Sequence, residues 1–131
     1  MEKLNNTMKT LNFEHFATSQ HKISPANFLA SPNALFLDLR TKEEIDTLSI
    51  NLKHHMPVLN IPIHELPERL IEIPKDKKVG LFCSSGVRIA IAYLYLKTAG
   101  FENIVMLPGG LEALVAELKP GKIQKAIKAK S

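Results

Sequence analysis

The side chain in this sequence with the greatest capacity for chemical reaction is that of Cys83, the single cysteine among 131 residues. It opens the run Cys-Ser-Ser-Gly-Val-Arg at residues 83–88, in which small side chains and Gly86 let the backbone curl. A curled loop that leads into a helix points its N–H groups inward, and such a nest binds anions and stabilises a thiolate. Arg88 adds a permanent positive charge. These residue types in this order predict an activated sulfur nucleophile at position 83.

A second interpretation stays open, because most free cysteines are buried, unreactive core residues. Cys83 directly follows the apolar residues Leu81 and Phe82, as a core cysteine would. The corresponding interpretation of Arg88 is a structural ion pair with an acid. The lone cysteine excludes an internal disulfide and a Cys-x-x-Cys redox pair, and it fits a reducing compartment. We expect a cytoplasmic protein, since no apolar run reaches the roughly 18 residues of a membrane span and residues 1–20 contain no signal sequence.

The surrounding pattern predicts an α/β domain with a mostly parallel sheet. Apolar runs typical of buried strands occupy residues 34–37, 79–82 and 104–107, and a weaker candidate ends at residues 60–62. Helical patterns occupy residues 42–48, 63–71, 87–99 and 111–118. The helix at residues 87–99 is apolar nearly all round, which predicts that it is buried and central.

The chemically interesting residues follow the ends of the three main predicted strands. Asp-Leu-Arg at residues 38–40 follows the first strand, Cys83 follows the second, and Pro-Gly-Gly at residues 108–110 follows the third. The carboxyl ends of parallel strands meet at one edge of a sheet, and open α/β sheets bind ligands outside that edge. We therefore expect Asp38, Arg40, Cys83 and the glycine pair to share one rim, where a site should lie.

The net charge of +4 belongs to the C-terminal end rather than to the body of the chain. Five of the 17 basic residues lie in the last 13 positions, which leaves 12 basic against 13 acidic groups in residues 1–118. A nucleic-acid-binding protein usually shows a basic face on its folded body, so we expect no nucleic-acid partner and no stable membrane association. We expect an N-terminal extension with helical spacing at residues 1–21, one domain at residues 22–118 and a solvated basic tail at residues 119–131.

Three histidines lie close together in the sequence, at positions 54, 55 and 64. Adjacent side chains on an extended segment point to opposite faces, so His54 and His55 do not converge on one ion. No cysteine lies nearby to complete a ligand set. The pattern therefore predicts surface histidines and no metal site.

At residues 83–88 the sequence resembles the Cys-x-x-Gly-x-Arg active-site loop of single-domain rhodanese-like sulfurtransferases. Further segments are similar to segments of that family in order and spacing: Asp-x-Arg-x-x-x-Glu within residues 37–44, the lysine-rich residues 75–78, Asn-Ile-Pro at 60–62, Gly-Phe at 100–101 and Pro-Gly-Gly at 108–110. The resemblance covers about residues 22–118. It implies a rhodanese-like α/β fold, with a roughly five-stranded, mainly parallel sheet flanked by helices on both faces.

The resemblance implies a sulfurtransferase that works through a persulfide on Cys83. Cys83 would take a sulfane sulfur from thiosulfate or a persulfide donor and pass it to a thiol or to cyanide. The N–H groups that hold the outer sulfur would belong to Ser84, Ser85, Gly86, Val87 and Arg88. Arg88 would also attract the anionic donor. The implied partners are a small anionic sulfur donor and a protein that supplies or accepts sulfur. The resemblance implies no metal and no organic cofactor, and it does not specify an oligomeric state.

The resemblance also implies supporting roles for Asp38, Arg40 and Glu44 beneath the loop. Arg40 is expected to pair with Glu44, and Asp38 is expected to brace the cysteine loop. Direct contact with substrate is the alternative for Asp38 and Arg40. The sequence departs from the family at Lys53–Leu59, where the usual Gly-His-Ile-Pro-Gly-Ala segment has lost both glycines, so the backbone there is expected to differ.

The alternatives to a sulfurtransferase that turns over many times are another enzyme, a sulfur carrier and an inactive module. A phosphatase or an arsenate reductase of similar fold has five residues between Cys and Arg, whereas four residues separate Cys83 and Arg88. The shorter loop offers fewer N–H groups and suits one sulfur atom better than a tetrahedral oxyanion. A sulfur carrier, which receives sulfur from one protein and hands it to another, is a closer alternative. An inactive binding module is disfavoured because both Cys83 and Arg88 are present.

Overall fold

The computed structural model describes residues 1–131 and contains a four-stranded parallel sheet. The strands are β1 (Ala34–Asp38), β2 (Val58–Asn60), β3 (Lys78–Phe82) and β4 (Ile104–Met106). They lie in the order β2-β1-β3-β4, with every neighbouring pair parallel. The three main predicted strands and the weaker one are thus confirmed, as is the parallel α/β class.

The expected fifth strand is reduced to a single bridge at the edge of the sheet, beside β4. Lys22 pairs with Met106 in parallel. The N–H of Met106 donates to the carbonyl of His21 at 2.8 Å, and the N–H of Ile23 donates to the carbonyl of Met106 at 3.1 Å. Pro25 begins a helix only two residues after Ile23, so the chain leaves the sheet edge before a longer ladder forms.

Eight α-helices surround the sheet. They are α1 (Glu2–Thr10), α2 (Phe13–Ala17), α3 (Pro25–Leu29), α4 (Lys42–Thr47), α5 (Leu66–Arg69), α6 (Val87–Thr98), α7 (Gly110–Val115) and α8 (Pro120–Ala129). Short 3-10 turns at Ile63–Glu65 and Leu70–Glu72 flank α5. None of these helices has the length and apolar character that crossing a membrane requires.

Helices cover both faces of the sheet, as the family resemblance implies. Leu35 and Leu37 of β1 point to the same core as Ile89, Ala92 and other residues of α6. Their neighbours Ala34 and Phe36 point to the opposite face, where Phe28 of α3 and Leu114 of α7 pack. Successive side chains of a strand alternate between faces, so all five residues of β1 are buried.

The prediction that the helix after Cys83 is buried and central is only half right. Ile89, Ala92, Tyr93 and Leu96 of α6 are buried against the sheet. The opposite side of the helix faces outward, where Val87, Ile91 and Tyr95 are 66%, 56% and 38% exposed. An all-apolar sequence does not by itself place a helix between two layers, and here α6 lies in an outer layer.

Polar contacts tie the terminal helices to the rest of the domain. His15 of α2 is buried, and its Nε2 is hydrogen-bonded to the Tyr93 hydroxyl at 3.1 Å. The Thr98 hydroxyl of α6 donates to the Thr7 hydroxyl of α1 at 3.0 Å. At the other end of the chain, the basic tail forms α8, and the Lys130 ammonium donates to a carbonyl in the 51–57 segment, that of His55.

We predict that Gly80→Ala destabilises the fold by about 1–3 kcal/mol, the usual cost of overpacking a core. A Cβ at position 80 would lie 2.5 Å from the ring of Phe28, which is fully buried. Urea unfolding followed by circular dichroism measures the change. Gly121→Ala is the control, since a Cβ there meets nothing within 4 Å. Equal stabilities of the two variants would contradict the close packing of β3 on α3.

Candidate active site

The cysteine loop, residues 83–88, joins the end of β3 to the start of α6. Gly86 caps α6 with a φ of 103°, a left-handed conformation that side chains disfavour and glycine accepts. This turn brings the N–H of Gly86 to 3.1 Å from the Sγ of Cys83, to which it donates. The loop is therefore curled around the sulfur, as its small residues predict.

Cys83 itself is buried, with a relative exposure of 1%, and it packs in the same core cluster as Leu39 and Ile89. Burial alone would fit an unreactive core cysteine. Unlike an unreactive core cysteine, however, Cys83 has polar groups beside its sulfur. Besides the Gly86 amide, the sulfur has the Arg88 cation nearby: the pKa of Arg88 is raised, first by its hydrogen bond to Glu44 and to a smaller extent by Cys83.

Arg88 forms a bidentate ion pair with Glu44 across the mouth of the loop. The two guanidinium nitrogens Nη1 and Nη2 donate to the two carboxylate oxygens at 2.5 and 3.0 Å. Nη2 also donates to the Ser84 hydroxyl at 2.9 Å, and that hydroxyl lies 3.4 Å from Glu44 Oε2. Two residues of the cysteine loop are thus fastened to one carboxylate, which fixes the shape of the loop.

Glu44 is held in place by the first turn of α4. The Thr41 hydroxyl accepts the N–H of Glu44, and the Glu44 carboxylate accepts the N–H of Thr41 at 3.0 Å, which is a capping box. The hydrogen bond from Arg88 is the largest of the effects that lower the pKa of Glu44, to about 2. Glu44 is therefore ionised at neutral pH, and it cancels the charge of Arg88.

The expected pairing of Arg40 with Glu44 is wrong. Arg40 pairs with Asp38 instead, its Nη2 and Nε lying 2.8 and 3.0 Å from the two carboxylate oxygens. Both side chains are almost fully buried. The backbone turns sharply after β1, because the N–H of Arg40 also donates to Asp38, and this turn keeps the guanidinium beside Asp38 while Glu44 reaches Arg88.

The Asp38–Arg40 pair does not bond the cysteine loop directly. The guanidinium carbon of Arg40 lies 5.7 Å from the ring centroid of Phe82, the residue before Cys83. The Asn60 side chain donates to the carbonyls of Asp38 and Arg40 at 2.9 and 3.0 Å. Asn60 was visible in the sequence as part of Asn-Ile-Pro, but only the structure shows that it closes the turn beneath the site.

The glycine pair after β4 packs against the cysteine loop, at the rim where the sequence places it. Gly109 and Gly110 have φ values of 94° and 61°. A Cβ on Gly110 would overlap the carbonyl oxygen of Ser84. Glycine is therefore required at position 110 for both its conformation and its lack of a side chain. The ends of β1, β3 and β4 meet here, which confirms the predicted rim.

The structure groups no three His, Cys, Asp or Glu side chains in a way that would hold a metal ion. His54 and His64 are exposed, as expected. His55 is not: it is buried, its Nδ1 has no hydrogen-bond partner, and burial is the main reason that its pKa is lowered. The segment that contains His55 also contains Leu52 and Met56, which belong to the core cluster that includes Phe36 of β1.

Residues 26–117 match the family model described as the rhodanese-like domain. The chain belongs to the rhodanese-like domain family. It is 37% identical over 81 residues to a sulfurtransferase of Allochromatium vinosum, an alignment that covers 62% of this chain and 71% of that protein. It is 31% identical over 77 residues to a tRNA sulfurtransferase of Histophilus somni, covering 59% of this chain but only 16% of that much longer protein.

Solved structures agree with this rhodanese-like assignment. A rhodanese-related protein from Thermoplasma volcanium superimposes with a TM-score of 0.64 and 32% sequence identity. The match covers 76% of this chain and 95% of that one. The family and the fold therefore agree with the resemblance carried by residues 83–88, as do the relatives named sulfurtransferase, while other relatives are named tRNA uridine(34) hydroxylase.

We predict that Gly110→Ala distorts the cysteine loop of this rhodanese-like domain and lowers the free energy of unfolding by about 1–3 kcal/mol. The added methyl group has no space beside the Ser84 carbonyl. Amide resonances of Ser84 and Ser85 in a ¹⁵N–¹H spectrum should shift, while Gly121→Ala should leave them in place. Unchanged loop resonances in a folded Gly110→Ala protein would show that the glycine pair does not support the loop.

We predict that the Glu44–Arg88 pair makes the domain lose stability in acid. The folded pKa of Glu44, about 2, lies below its ordinary value of 4.5. The stabilisation is therefore present above pH 4.5 and is lost as the pH falls towards 2. Urea unfolding between these limits measures this loss, which should be smaller in Glu44→Gln. Glu43→Gln, which removes an exposed charge of the same helix, should behave as wild type; identical acid profiles for all three proteins would refute the assignment.

Proposed function

We propose that this domain is a sulfurtransferase that carries a sulfane sulfur as a persulfide on Cys83. The observation that supports it most strongly is the loop geometry: the Gly86 N–H donates a hydrogen bond to Cys83 Sγ, and the Arg88 guanidinium is a nearby cation. Both groups stabilise negative charge on sulfur, which is needed in the attacking thiolate and again in the persulfide product. The relatives named sulfurtransferase support the same reaction class.

With thiosulfate as donor, the proposed first step is a displacement at sulfur. The Cys83 thiolate attacks the outer sulfur, the S–S bond of thiosulfate breaks, and sulfite leaves with the bonding electron pair. In the second step an acceptor thiolate, or cyanide, attacks the outer sulfur of the Cys83 persulfide. The Cys83 thiolate leaves and is ready for another cycle. No oxidant, reductant, metal or organic cofactor enters either step.

The cysteine loop and its supports have distinct proposed roles. The amides of residues 84–88 hold the outer sulfur, and Arg88 stabilises its charge. Glu44 keeps Arg88 and Ser84 in position, which the ion pair and the two hydroxyl contacts support. Asp38 and Arg40 stabilise the turn beneath Phe82 rather than contacting substrate, since they are buried and bonded to each other.

A sulfur carrier is the second candidate. The chain is similar to a short part of the Histophilus somni tRNA sulfurtransferase, 16% of its length, so a domain of this kind also occurs within larger sulfur-transferring proteins. In a carrier, Cys83 would receive sulfur from one protein and deliver it to another. Either role needs a free thiol, so we infer that the protein works in a reducing, cytoplasmic setting. Steady-state turnover with thiosulfate and cyanide separates the two candidates, because a carrier forms the persulfide but turns over poorly.

Intact-mass spectrometry tests the persulfide directly. We predict that incubation with a sulfane-sulfur donor adds the mass of one sulfur atom and that cyanide removes it. Cys83→Ser, which keeps a hydroxyl in place of the thiol, should show no addition. Ser85→Ala is the matched control, because Ser85 is exposed in the same loop and should load normally. Addition of sulfur to Cys83→Ser, or none to the wild-type protein, would refute the proposed function.

A further inference from the structure

The charges at the mouth of the cysteine loop do not favour a highly charged donor. Arg88 is the cation of the cysteine loop, and both of its terminal nitrogens are bonded to Glu44. Glu44 is ionised at neutral pH because its pKa is about 2. With Cys83 as a thiolate, these three groups together carry one net negative charge.

A second charged pair, Asp38 and Arg40, adds nothing to that sum. Asp38 and Arg40 form a closed, neutral pair, and each residue is only 1% exposed. Glu44, by contrast, reaches the surface: its side chain is 32% exposed, and that of Arg88 is 23% exposed. The partly exposed charges of the site are therefore those of Glu44 and Arg88, and the Arg88 guanidinium also bonds the Ser84 hydroxyl of the cysteine loop.

We propose that Glu44 is a specificity-determining residue that makes the Cys83 site favour monoanionic sulfane-sulfur donors, such as persulfides and thiosulfonates, over dianionic thiosulfate. This inference rests on the proposed function of Cys83. A guanidinium shared with a carboxylate attracts an anion weakly, and the repulsion from a net negative site grows with the charge of the donor. A monoanion is repelled half as strongly as a dianion at the same distance.

The transfer from each donor is the same displacement with a different leaving group. With a persulfide anion R–S–S⁻, the Cys83 thiolate attacks the outer sulfur, the S–S bond breaks and the thiolate R–S⁻ leaves, while the negative charge of the donor stays on the transferred sulfur. With methanethiosulfonate, the leaving group is methanesulfinate. Methanethiosulfonate has a methyl group where thiosulfate has an anionic oxygen, so the two donors differ mainly in charge.

The test measures kcat/KM for thiosulfate and for methanethiosulfonate, with cyanide as acceptor, in the wild-type protein and in Glu44→Gln. Glutamine keeps the size and an acceptor oxygen for Arg88 but removes the charge. For a donor several ångströms away in a water-like dielectric, we expect kcat/KM to rise about tenfold for thiosulfate and about threefold for methanethiosulfonate. Glu43→Gln is the matched control and should change neither value, because Glu43 forms no ion pair with the loop.

An equal change for both donors in Glu44→Gln, or a smaller gain for thiosulfate, would overturn the inference. If Glu44→Gln folds poorly, it loses activity with both donors. In that case kcat/KM for both donors is measured in the wild-type protein at several ionic strengths. Salt screens repulsion, so log(kcat/KM) should increase more steeply with salt for thiosulfate than for methanethiosulfonate. If log(kcat/KM) instead falls more steeply with salt for thiosulfate, the site attracts dianions. If the two slopes are equal, the site does not discriminate by charge. Either result would overturn the inference.

The proposed function and the role of Glu44 fail in different ways. If neither donor adds sulfur to Cys83 in the intact-mass experiment, the persulfide mechanism is wrong, and the inference about Glu44 is wrong with it. If both donors load Cys83 but the ratio of their kcat/KM values is the same in wild type and Glu44→Gln, sulfur transfer stands and only the selectivity role of Glu44 is refuted.

Discussion

The ion pair between Glu44 and Arg88 is the interaction on which the geometry around Cys83 depends. It joins two segments that are 44 residues apart in sequence, the first turn of α4 and the first turn of α6. Through Arg88 it also holds the Ser84 hydroxyl, so both ends of the loop are restrained. Loss of one partner would leave the other charge half-buried and the loop free to open.

The parallel sheet supplies the frame for this pair. The register of β1 beside β3 places Asp38 opposite Phe82, so the turn before α4 and the cysteine loop leave the sheet side by side. The third support comes after β4, where Gly110 approaches the backbone of Ser84 too closely for any side chain. Segments that follow three strands thus meet around the cysteine loop, at the edge where open α/β sheets usually have their sites.

The sequence predicts the frame better than the contacts within it. Apolar runs identify β1, β3 and β4, because strands covered by helices on both faces carry apolar side chains at successive positions. The polar residues Asp38 and Lys78 lie at the ends of their strands. The partners of Arg40 and Glu44 are not predictable from spacing, since each lies within reach of more than one opposite charge and the backbone turn after β1 decides between them. Likewise, the burial of His55 depends on how the segment before β2 folds, which no local pattern encodes.

The central claim is that the loop amides and Arg88 surround an additional sulfur on Cys83. A crystal structure determined after exposure to a sulfane-sulfur donor tests it most directly. We predict electron density for one extra atom about 2.05 Å from Sγ, pointing into the ring of N–H groups of residues 84–88, with the Glu44–Arg88 pair in place. A Cys83 thiol that stays unmodified after exposure to the donor, or an extra atom that points away from the loop amides, would contradict the account.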